Sequence, residues 1–584
     1  METRRSRRLS FVAGSVVLGL AGAAQAEPAK NVILMIADGI GHNGWLATEY
    51  YMYGAAGQNA YQQDRVVNGT TYPSVKVGMS HWSLNYVDEN LDVIQTPGDG
   101  SIPAGAVLPD GSPRVARQGG PLGYDADAMW SDFGYHMLND FDPVNIPYSG
   151  YTDSAASATA FYSGVKTVNR KIGQDPAGND VESIAEVAAA AGKATGAVAS
   201  VYWSHATPGA VDAHVIQRGL LSDIANQMLE SDLDVIMGPG HPAFDDDGNP
   251  VDPSGRTARI GGDETFQQLV DGTHPGGWTL VDDLASFEAL AADASTAPER
   301  VLGIAPVYST LQAVRSENGE AEGELDWPSG DAPIPTVPDL STLSLAALNL
   351  LDRDEDGFFV MIEGGAVDWV NHGNNLPRMI EEQRDFIEAV DAVVEWVETN
   401  SSWDETLLIV TSDHETGGIW GAGTYSNGDD DPRWNPAFDT FNEFRAIENA
   451  GQGVVPDHQY ATGNHSNKLV PAYLIGEGAE LALDLAQIDA GSADLWGAAF
   501  GGWDGSYVDN TDIYRIMMEA FGFDVAADCP SDLDGNGAVD PADLDSLLAN
   551  WGETVSPGFS GDRSGNGTID FGDLLLLLAD FGDC

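Results

Sequence analysis

The stretch Val32–Ala37, with the sequence VILMIA, is an unbroken apolar run that ends directly before Asp38. A short run without polar alternation predicts a strand that is buried on both faces of a sheet. Phe358–Ile362 and Leu407–Val410 are similar runs, and Ala197–Tyr202 is a weaker one. Four such strands, far apart in the sequence, indicate a large buried sheet.

Helical patterns lie between these runs at Val181–Ala190, Leu220–Glu230 and Met379–Glu398. Strands that alternate with helices predict an α/β fold, a three-layer sandwich whose mostly parallel central sheet is covered on both faces. Ligands of such sheets bind at the carboxyl ends of the strands. Residues 51–130 and 240–335 are rich in Gly, Pro and Asp with weak periodicity, and we interpret them as long insertions that shape a site entrance or a subunit interface.

Composition excludes several classes of function. The chain has 584 residues, of which 43% are hydrophobic, so it can bury a large core. It carries 26 Lys and Arg against 90 Asp and Glu, a formal net charge of -64. A surface so negative repels nucleic acid and anionic lipid. The two cysteines, Cys529 and Cys584, exclude a disulfide-dense scaffold and a metal site built from cysteines.

Residues 1–26 have the features of a signal peptide. Arginines at positions 4, 5, 7 and 8 precede the apolar segment Phe11–Gly22, and Ala24-Gln25-Ala26 provides a small-x-small cleavage site. The ordinary secretory route and the twin-arginine route both remain open. No later apolar run approaches the roughly 20 residues that span a bilayer. We therefore expect an exported protein, secreted or periplasmic, with no membrane span.

Residues 526–584 contain two similar segments, DLDGNGAVDPAD at 532–543 and DRSGNGTIDFGD at 562–573. Each has oxygen side chains at loop positions 1, 3, 5, 9 and 12 and glycine at position 6, the spacing with which a twelve-residue loop wraps Ca²⁺. The predicted calcium ligands are Asp532, Asp534, Asn536, Asp540, Asp543, Asp562, Ser564, Asn566, Asp570 and Asp573. Aspartate at position 12 is shorter than the usual glutamate, and Ser564 stands in place of an acid in the second loop. The predicted affinity of the second loop is therefore modest.

This pair of segments resembles type I dockerin repeats, which are small all-α modules with two calcium loops. The resemblance implies a cohesin-like protein partner, and an accessory module that calcium merely stabilises is the alternative. Cys529 and Cys584 flank the pair. In an exported protein we expect them to form a disulfide that stabilises so small a core.

Side chains of the kinds that bind zinc and magnesium follow the apolar runs. Asp38, Glu363 and the pair Asp413-His414 each stand where such a run ends. Asp368 and His372 are spaced i, i+4, which places a carboxylate and an imidazole on one helical face. Buried charges need partners, and metal ions are the simplest ones. The further candidates are Ser154, His205, Thr207, Arg218 and His465. The other histidines, His214 among them, have no matched ligand partner in the sequence.

Four of these segments closely resemble motifs of the alkaline phosphatase family and occur in the order of that family. They are NVILMIADGIG at 31–41, TDSAAS at 152–157, IEG at 362–364 and TSDHETGG at 411–418. The resemblance covers roughly residues 30–520. It implies the family's fold in a catalytic domain at residues 27–525, and the hydrolysis of phosphate monoesters through a phosphoserine. It also implies two zinc ions, one magnesium ion and, commonly, a homodimer.

The resemblance also implies a role for each candidate residue. Ser154 is the implied nucleophile, and Arg218 is the implied clamp on two phosphate oxygens. The implied ligands are Asp368, His372 and His465 for one zinc, Asp38, Asp413 and His414 for the other, and Asp38, Thr207 and Glu363 for magnesium. His205 stands near the magnesium ligands where the best-known bacterial pattern has Asp, and Trp369 stands where that pattern often has Lys. The metal at the His205 site therefore stays open between magnesium and zinc.

Two other functions remain as alternatives. The first is a phosphodiesterase or sulfatase of the same superfamily, against which Ser154 and Arg218 favour the monoesterase. The second is a catalytically silent, calcium-dependent binding protein, against which the complete ligand set argues. The sequence does not identify the physiological phosphate ester.

Overall fold

A computed structural model describes most of the chain between residues 28 and 583. The described residues are 28–87, 93–94, 116–118, 124, 126–131, 151–176, 178–317, 327–426, 440–441, 443–523, 531, 533, 538–539, 541–552, 568–579 and 581–583. The predicted signal peptide, both cysteines and the predicted boundary between residues 525 and 526 lie outside them.

An eleven-stranded sheet forms the centre of the fold. Its strands, numbered along the chain, are β1 Asn31–Ile36, β2 Val75–Ser80, β3 Ala194–Ala199, β4 Val235–Gly238, β5 Thr279–Val281, β6 Val301–Ile304, β7 Phe358–Glu363, β8 Thr406–Thr411, β9 Val470–Gly476, β10 Gln487–Ile488 and β11 Ser506–Asp509. Their order across the sheet is β5-β6-β4-β3-β7-β1-β8-β9-β2-β11-β10. The seven strands from β5 to β8 are parallel, and β9 runs antiparallel to both of its neighbours. The predicted mostly parallel sheet is confirmed.

Helices cover both faces of this sheet. They are α1 His42–Tyr53, α2 Ala126–Ser131, α3 Ser154–Ser163, α4 Ile184–Ala190, α5 Ala206–Gly209, α6 Leu221–Glu230, α7 Asp263–Val270, α8 Leu284–Ala292, α9 Leu340–Leu351, α10 Ala366–His372, α11 Leu376–Asn400, α12 Leu481–Leu485, α13 Ala490–Trp496 and α14 Asn510–Ala520. Two further helices, α15 Pro541–Ala549 and α16 Phe571–Ala579, belong to a separate apolar cluster near the C-terminal end of the described residues. Single 3-10 turns lie at Ala60–Gln62 and Thr257–Ile260.

The central strand β1 explains the unbroken apolar run. All six of its residues are buried. Ile33 and Met35 pack into the core that includes α9 and α11, whereas Leu34 and Ile36 pack into the core that includes α3, α4 and α14. Because successive side chains of a strand point to opposite faces, a strand between two helical layers needs apolar residues at every position. The three-layer arrangement is confirmed.

Short strands pair outside the central sheet. The antiparallel pairs are Arg65–Val67 with Thr70–Tyr72, Glu415–Thr416 with His465–Ser466, Ile419–Gly421 with His458–Tyr460, and Tyr425–Ser426 with Thr440–Phe441. Leu84–Val87 pairs with both Val93–Ile94 and Ala116–Gln118. The pair at Glu415–Thr416 brings His465 next to the end of β8.

Two sequence-based predictions of the fold were wrong in detail. The weaker apolar run forms a strand at Ala194–Ala199 rather than at residues 197–202. After Ala199 the chain leaves the sheet, and the Ser200 hydroxyl accepts a hydrogen bond from Ala366 N. Residues 51–130 and 240–335 are not merely insertions, because they contribute β2, β5 and β6 to the sheet. Strands of three or four residues, such as β5 and β6, are too short to show a period in the sequence.

The described residues after position 530 form a small apolar cluster of their own. Val539, Leu547, Ile569 and Leu577 are buried together. Ala538–Val539 pairs with Gly582–Asp583. Of the predicted calcium ligands, Asp543, Asp570 and Asp573 are described, and the other seven lie outside the described residues. Among the described helices of the whole chain, none combines the length and the apolar character needed to cross a bilayer.

Candidate metal centre and nucleophile

Three neighbouring parallel strands deliver acidic side chains to one edge of the sheet. Asp38 lies two residues after β1, Glu363 ends β7, and Asp413 lies two residues after β8. The order β7-β1-β8 places these strand ends side by side, and all three side chains are fully buried. The convergence that the sequence predicted at the carboxyl edge is present in the structure.

The first group of potential metal ligands consists of Asp368 and His372 on α10 and His465 from the neighbouring short strand. The Nε2 atom of His372 lies 3.3 Å from Asp368 Oδ2 and 3.3 Å from His465 Nε2. Atoms bound at 2.0–2.1 Å to a tetrahedral zinc ion stand about 3.3 Å apart. The three donor atoms therefore have the spacing of a zinc site.

The two imidazoles of this group are oriented by backbone carbonyl groups. The Nδ1 atom of His372 lies 2.6 Å from Gly463 O, and that of His465 lies 2.6 Å from Thr152 O. A carbonyl oxygen can only accept, so each Nδ1 carries the proton. Each Nε2 faces the cluster and has a lone pair when the imidazole is neutral, the arrangement found in metal-binding histidines. Burial opposes the charge of His372, but Asp368 outweighs burial and raises the pKa of His372 to about 9, so a metal ion would replace the proton on its Nε2.

The second group consists of Asp38, Asp413 and His414. His414 Nε2 lies 3.2 Å from Asp413 Oδ2, 3.5 Å from Asp38 Oδ1 and 3.2 Å from Ser154 Oγ. Burial lowers the pKa of His414 well below its usual value, so this imidazole is neutral and able to bind a metal ion. The second group thus surrounds the hydroxyl of the candidate nucleophile.

Ser154 is the first residue of helix α3. Asp153 precedes it as the N-cap, and its side chain accepts a hydrogen bond from Ala156 N. The N-terminus of a helix is electropositive and favours an anion placed there. Ser154 is almost fully buried, as are the small residues Ala155 and Ala156 that follow it. A phosphate that reaches Ser154 Oγ would meet the positive end of α3.

The third group consists of Asp38, His205 and Glu363, with Thr207 beside Glu363. Both oxygens of Asp38, both oxygens of Glu363 and the Thr207 hydroxyl are buried and have no hydrogen-bond partner among the described residues. Buried polar atoms without partners are costly. Oxygen donors of this kind are the preferred ligands of a hard cation such as Mg²⁺. The residues therefore fit a third metal ion.

Without a cation, the ionised form of the carboxyl groups at this edge is disfavoured. Burial first, and then repulsion by neighbouring carboxylates, raises the pKa of Asp38 well above its usual value. Burial and Asp413 raise the pKa of Glu363 to about 8, and burial raises that of Asp413 to about 7. A bound dication would replace the protons that these groups otherwise need.

Arg218 reaches the same edge from the segment after α5. Its guanidinium donates hydrogen bonds to Asp153 Oδ2 at 3.1 Å and to His205 Nε2 at 3.0 Å. Burial opposes the charge of Arg218, but Asp153 outweighs burial and raises its pKa. Since His205 Nε2 accepts from Arg218, the proton of this imidazole sits on Nδ1. A metal ion on His205 would require the other tautomer or the departure of Arg218, so the two contacts exclude each other.

Three residues of the site were not assigned a role from the sequence. Thr416 Oγ1 donates to Asp368 Oδ1 at 2.6 Å and lies 3.3 Å from His414 Nδ1, so it links the first two groups. Asp153 both caps α3 and binds Arg218. Gly39 has a φ of +75°, and a Cβ there would lie 2.7 Å from Asp368 Oδ1. Glycine after Asp38 is therefore needed for the close approach of this turn to Asp368 on α10. The sequence signal for Thr416 is its place in the motif TSDHETGG.

Aromatic rings border the third group. Trp369 follows Asp368 on α10, and its ring lies 5.7 Å from that of His205 and 6.1 Å from that of Tyr202. Trp369 thus packs beside His205, so the two departures from the bacterial pattern are in contact with each other.

The sequence matches a known protein family and several of its curated members. The sequence model of the family described as "Alkaline phosphatase" matches residues 130–443, more than half of the chain. Alkaline phosphatase 3 of Bacillus subtilis (strain 168) is 29% identical over 278 residues, which are 47% of this chain and 51% of that protein. Alkaline phosphatase of Escherichia coli (strain K12) is 32% identical over 287 residues, 45% of this chain and 58% of that protein. The chain spans little more than half the length of these curated relatives.

Solved structures show the same fold. The alkaline phosphatase of the Antarctic bacterium TAB5 aligns with a TM-score of 0.50 at 22% identity, over 86% of this chain and 100% of that one. A variant of that protein altered at one histidine was solved with Mg bound in its M3 site. The three-layer fold with its mostly parallel sheet is therefore shared.

Proposed function

Because this chain belongs to the alkaline phosphatase family, we propose that it is a metal-dependent phosphomonoesterase that acts through a phosphoserine on Ser154. The observation that carries the proposal is the position of Ser154 Oγ, 3.2 Å from His414 Nε2 and at the start of α3. Three groups of potential metal ligands converge at this edge of the sheet and support the proposal. A hydroxyl in this position lies next to the second group of potential metal ligands and at an anion-binding helix end.

We assign zinc to the two groups that contain Asp368, His372 and His465 and Asp38, Asp413 and His414. Magnesium is assigned to Asp38, Thr207 and Glu363, with His205 as a further donor that admits zinc. The donor types support these assignments, since imidazole nitrogen suits zinc and carboxylate and hydroxyl oxygens suit magnesium. When bound, the ions supply charge neutralisation for the phosphoryl group and lower the pKa of the attacking oxygen.

The chain's own residues then position the substrate. Arg218 binds two oxygens of the phosphoryl group, and Asp153 fixes the guanidinium for this contact. Ser154 Oγ forms a bond to phosphorus while the bond to the leaving alcohol breaks. Water then cleaves the Oγ–phosphorus bond, which releases inorganic phosphate and restores the serine.

Replacing Arg218 by alanine is expected to lower kcat/KM for p-nitrophenyl phosphate by roughly 10- to 100-fold, because charge-assisted hydrogen bonds are worth about 1.5–3 kcal/mol. Inhibition by inorganic phosphate should weaken in parallel. Arg445→Ala is the matched control, since Arg445 is half-exposed and pairs only with Glu443 among the contacts described. Equal inhibition constants for Arg218→Ala and the unaltered protein would remove Arg218 from the phosphate site.

Substrate class separates the monoesterase from its closest alternatives. We expect p-nitrophenyl phosphate to be hydrolysed far faster than bis(p-nitrophenyl) phosphate or p-nitrophenyl sulfate. Arg218 and the helix start offer donors for a phosphoryl group with free oxygens, and a diester has fewer of these. A preference for the diester or the sulfate would assign the same site to a phosphodiesterase or a sulfatase.

Residues 526–584 are proposed as a calcium-binding module of the dockerin type. Asp543 and Asp573, at position 12 of the two loops, are fully buried and at the start of α15 and α16, and Val539 and Ile569 at position 8 share one apolar cluster. Exposed apolar side chains on these helices, including Leu548, Phe571, Leu575 and Leu578, support a protein partner of the cohesin type. If no partner binds, the module is a calcium-stabilised accessory unit.

Calcium content tests this module in the full chain. We expect the combined variant Asp543→Asn and Asp573→Asn to bind about two fewer Ca²⁺ per chain than the unaltered protein, because each loop loses the carboxylate at position 12. Asp252→Asn, at an exposed turn, is the matched control. Equal calcium content in all three proteins would leave the repeat without a metal role.

The remaining organisation is proposed on the sequence. Residues 1–26 direct export and are removed, residues 27–525 form the catalytic domain, and the product is secreted or periplasmic. The family resemblance supports a homodimer, which sedimentation of the purified protein tests directly.

A further inference from the structure

A second cluster of metal-ligand side chains lies apart from the site described above. Glu186 belongs to α4, and Asp212 and His214 lie in the segment that follows α5. Each residue offers a donor atom, and the three atoms lie within 4.8 Å of one another. Glu186 Oε1 and His214 Nε2 are 3.2 Å apart. All three residues are partly buried.

The imidazole of His214 is oriented as a metal ligand would be. Its Nδ1 lies 2.7 Å from Gly173 O, and its backbone N–H donates to Gln227 Oε1 at 2.7 Å. Because Gly173 O can only accept, Nδ1 carries a proton, and Nε2 is the nitrogen that faces the two carboxylates. This carbonyl contact is the support that metal-binding histidines generally have.

The two carboxylate oxygens of Glu186 also have separate roles, one in a structural contact and one in the cluster. Its Oε2 accepts a hydrogen bond from Ser183 N at 2.7 Å and so caps α4, whereas Oε1 faces His214. The carboxylate is fixed by its role in the capping box. A ligand held in place by the helix start does not need to be ordered again when a metal ion binds.

The carboxylates of the cluster repel one another in the metal-free chain. Burial, and then repulsion by Glu186, raises the pKa of Asp212 to about 7, and Asp232 adds to the repulsion. Burial opposes the positive charge of His214, but the hydrogen bond to Glu186 outweighs it and raises the pKa of His214 to about 9. In the metal-free chain, protons therefore compensate two facing carboxylates, and a dication could take their place.

We propose that Glu186, Asp212 and His214 bind a zinc ion, with water as the fourth ligand, at a site separate from the candidate catalytic centre. The separation of 3.2 Å between Glu186 Oε1 and His214 Nε2 matches the spacing of about 3.3 Å between ligands of a tetrahedral zinc ion. Two carboxylates and one neutral imidazole balance the charge of Zn²⁺. The imidazole donor disfavours calcium and magnesium, which prefer oxygen ligands throughout.

Such a zinc ion would fix the segment that carries Arg218. Ile172 and Val215 exchange two backbone hydrogen bonds, at 3.0 and 2.9 Å, and Arg218 N donates to Arg170 O at 2.8 Å. His214 directly precedes Val215 of this bridge, and the contact of His214 with Glu186 links the bridge to α4. The ion would therefore connect α4, the turn at residues 170–173 and the approach to Arg218.

Metal counting in the full chain tests the proposal. Protein stripped with a chelator is dialysed against a small excess of Zn²⁺, and bound zinc is measured by elemental analysis. We expect Asp212→Asn and His214→Gln each to hold one zinc per chain fewer than the unaltered protein. His241→Gln is the matched control, because His241 faces Asp282 at 3.4 Å but belongs to no three-ligand group among the described residues.

Thermal unfolding provides a second readout. Zinc should raise the midpoint of unfolding by less in Asp212→Asn than in His241→Gln, since only the former has lost a ligand. Equal zinc content in Asp212→Asn, His214→Gln and the control would overturn the proposal, as would an unchanged zinc-dependent shift. Neither measurement needs turnover, so failure of the proposed phosphatase activity would leave this result readable by itself.

Discussion

Alanine in place of Ser154 is expected to reduce kcat for p-nitrophenyl phosphate by at least about a thousandfold, because the attacking oxygen is removed while the other groups remain. Alanine suits the first position of α3, where Ala155 and Ala156 are already buried. The free energy of unfolding should therefore change by no more than about 1 kcal/mol. Steady-state kinetics and denaturant unfolding together separate the loss of the nucleophile from a loss of structure.

The control for this variant is Ser163→Ala on the same helix. Ser163 Oγ donates to Thr159 O at the opposite end of α3, so its loss leaves the start of the helix intact. Acid quenching during turnover should trap phosphate on the peptide that contains Ser154, and mass spectrometry would locate it. Ser154→Ala with nearly full turnover would mean that another group, or water, attacks phosphorus.

Asparagine in place of Asp413 is expected to remove one zinc ion and to lower turnover by at least about a hundredfold. Changes to groups that only orient a metal ligand typically cost 10- to 100-fold in affinity or activity, and Asp413 is a proposed ligand itself. The same change relieves repulsion between Asp413 and the neighbouring carboxylates Asp38 and Asp368 in the metal-free chain. Chelated Asp413→Asn should therefore be at least as stable as the chelated unaltered protein.

A metal ligand is distinguished from a structural aspartate by two results together. Its replacement lowers turnover but does not lower the stability of the metal-free protein. Asp234→Asn is the matched control, because Asp234 precedes β4 at the opposite edge of the sheet and accepts a hydrogen bond from Thr195 N. This control should keep its zinc and its turnover. If Asp413→Asn retained the zinc content of the unaltered protein, Asp413 would not be a ligand.

The central strands could be predicted because their burial dictates their composition. β1, β7 and β8 lie between two helical layers, and each reads as an unbroken apolar run. β5 and β6 could not be found in this way, since three or four residues carry no measurable period. The start of β3 at Ala194 was missed because Ala194 and Gly196 are of residue types that are depleted in strands, and Thr195 alone does not outweigh them.

The candidate site was largely predictable for a topological reason. Parallel strands bring their carboxyl ends to one edge, so Asp38, Glu363 and Asp413 were expected at the same edge once the strands were identified. The order β7-β1-β8, which makes them neighbours, was not predicted from the sequence. The contact from Thr416 to Asp368 joins residues 48 positions apart through a loop, and no pattern in the sequence reports it. His214 was likewise without a partner in the sequence, because Glu186 meets it only through the packing of α4 against the segment after α5. Asp212, two residues before His214, does not form a ligand pattern with it alone.

Hydrolysis of p-nitrophenyl phosphate at alkaline pH, before and after metal removal, tests the central claim most directly. Purified protein is assayed as isolated, after chelation, and after addition of Zn²⁺ and Mg²⁺ separately and together. We expect turnover that chelation abolishes and that both metals together restore in full. No turnover by fully metal-loaded protein, or turnover that survives complete metal removal, would contradict a metal-dependent phosphomonoesterase.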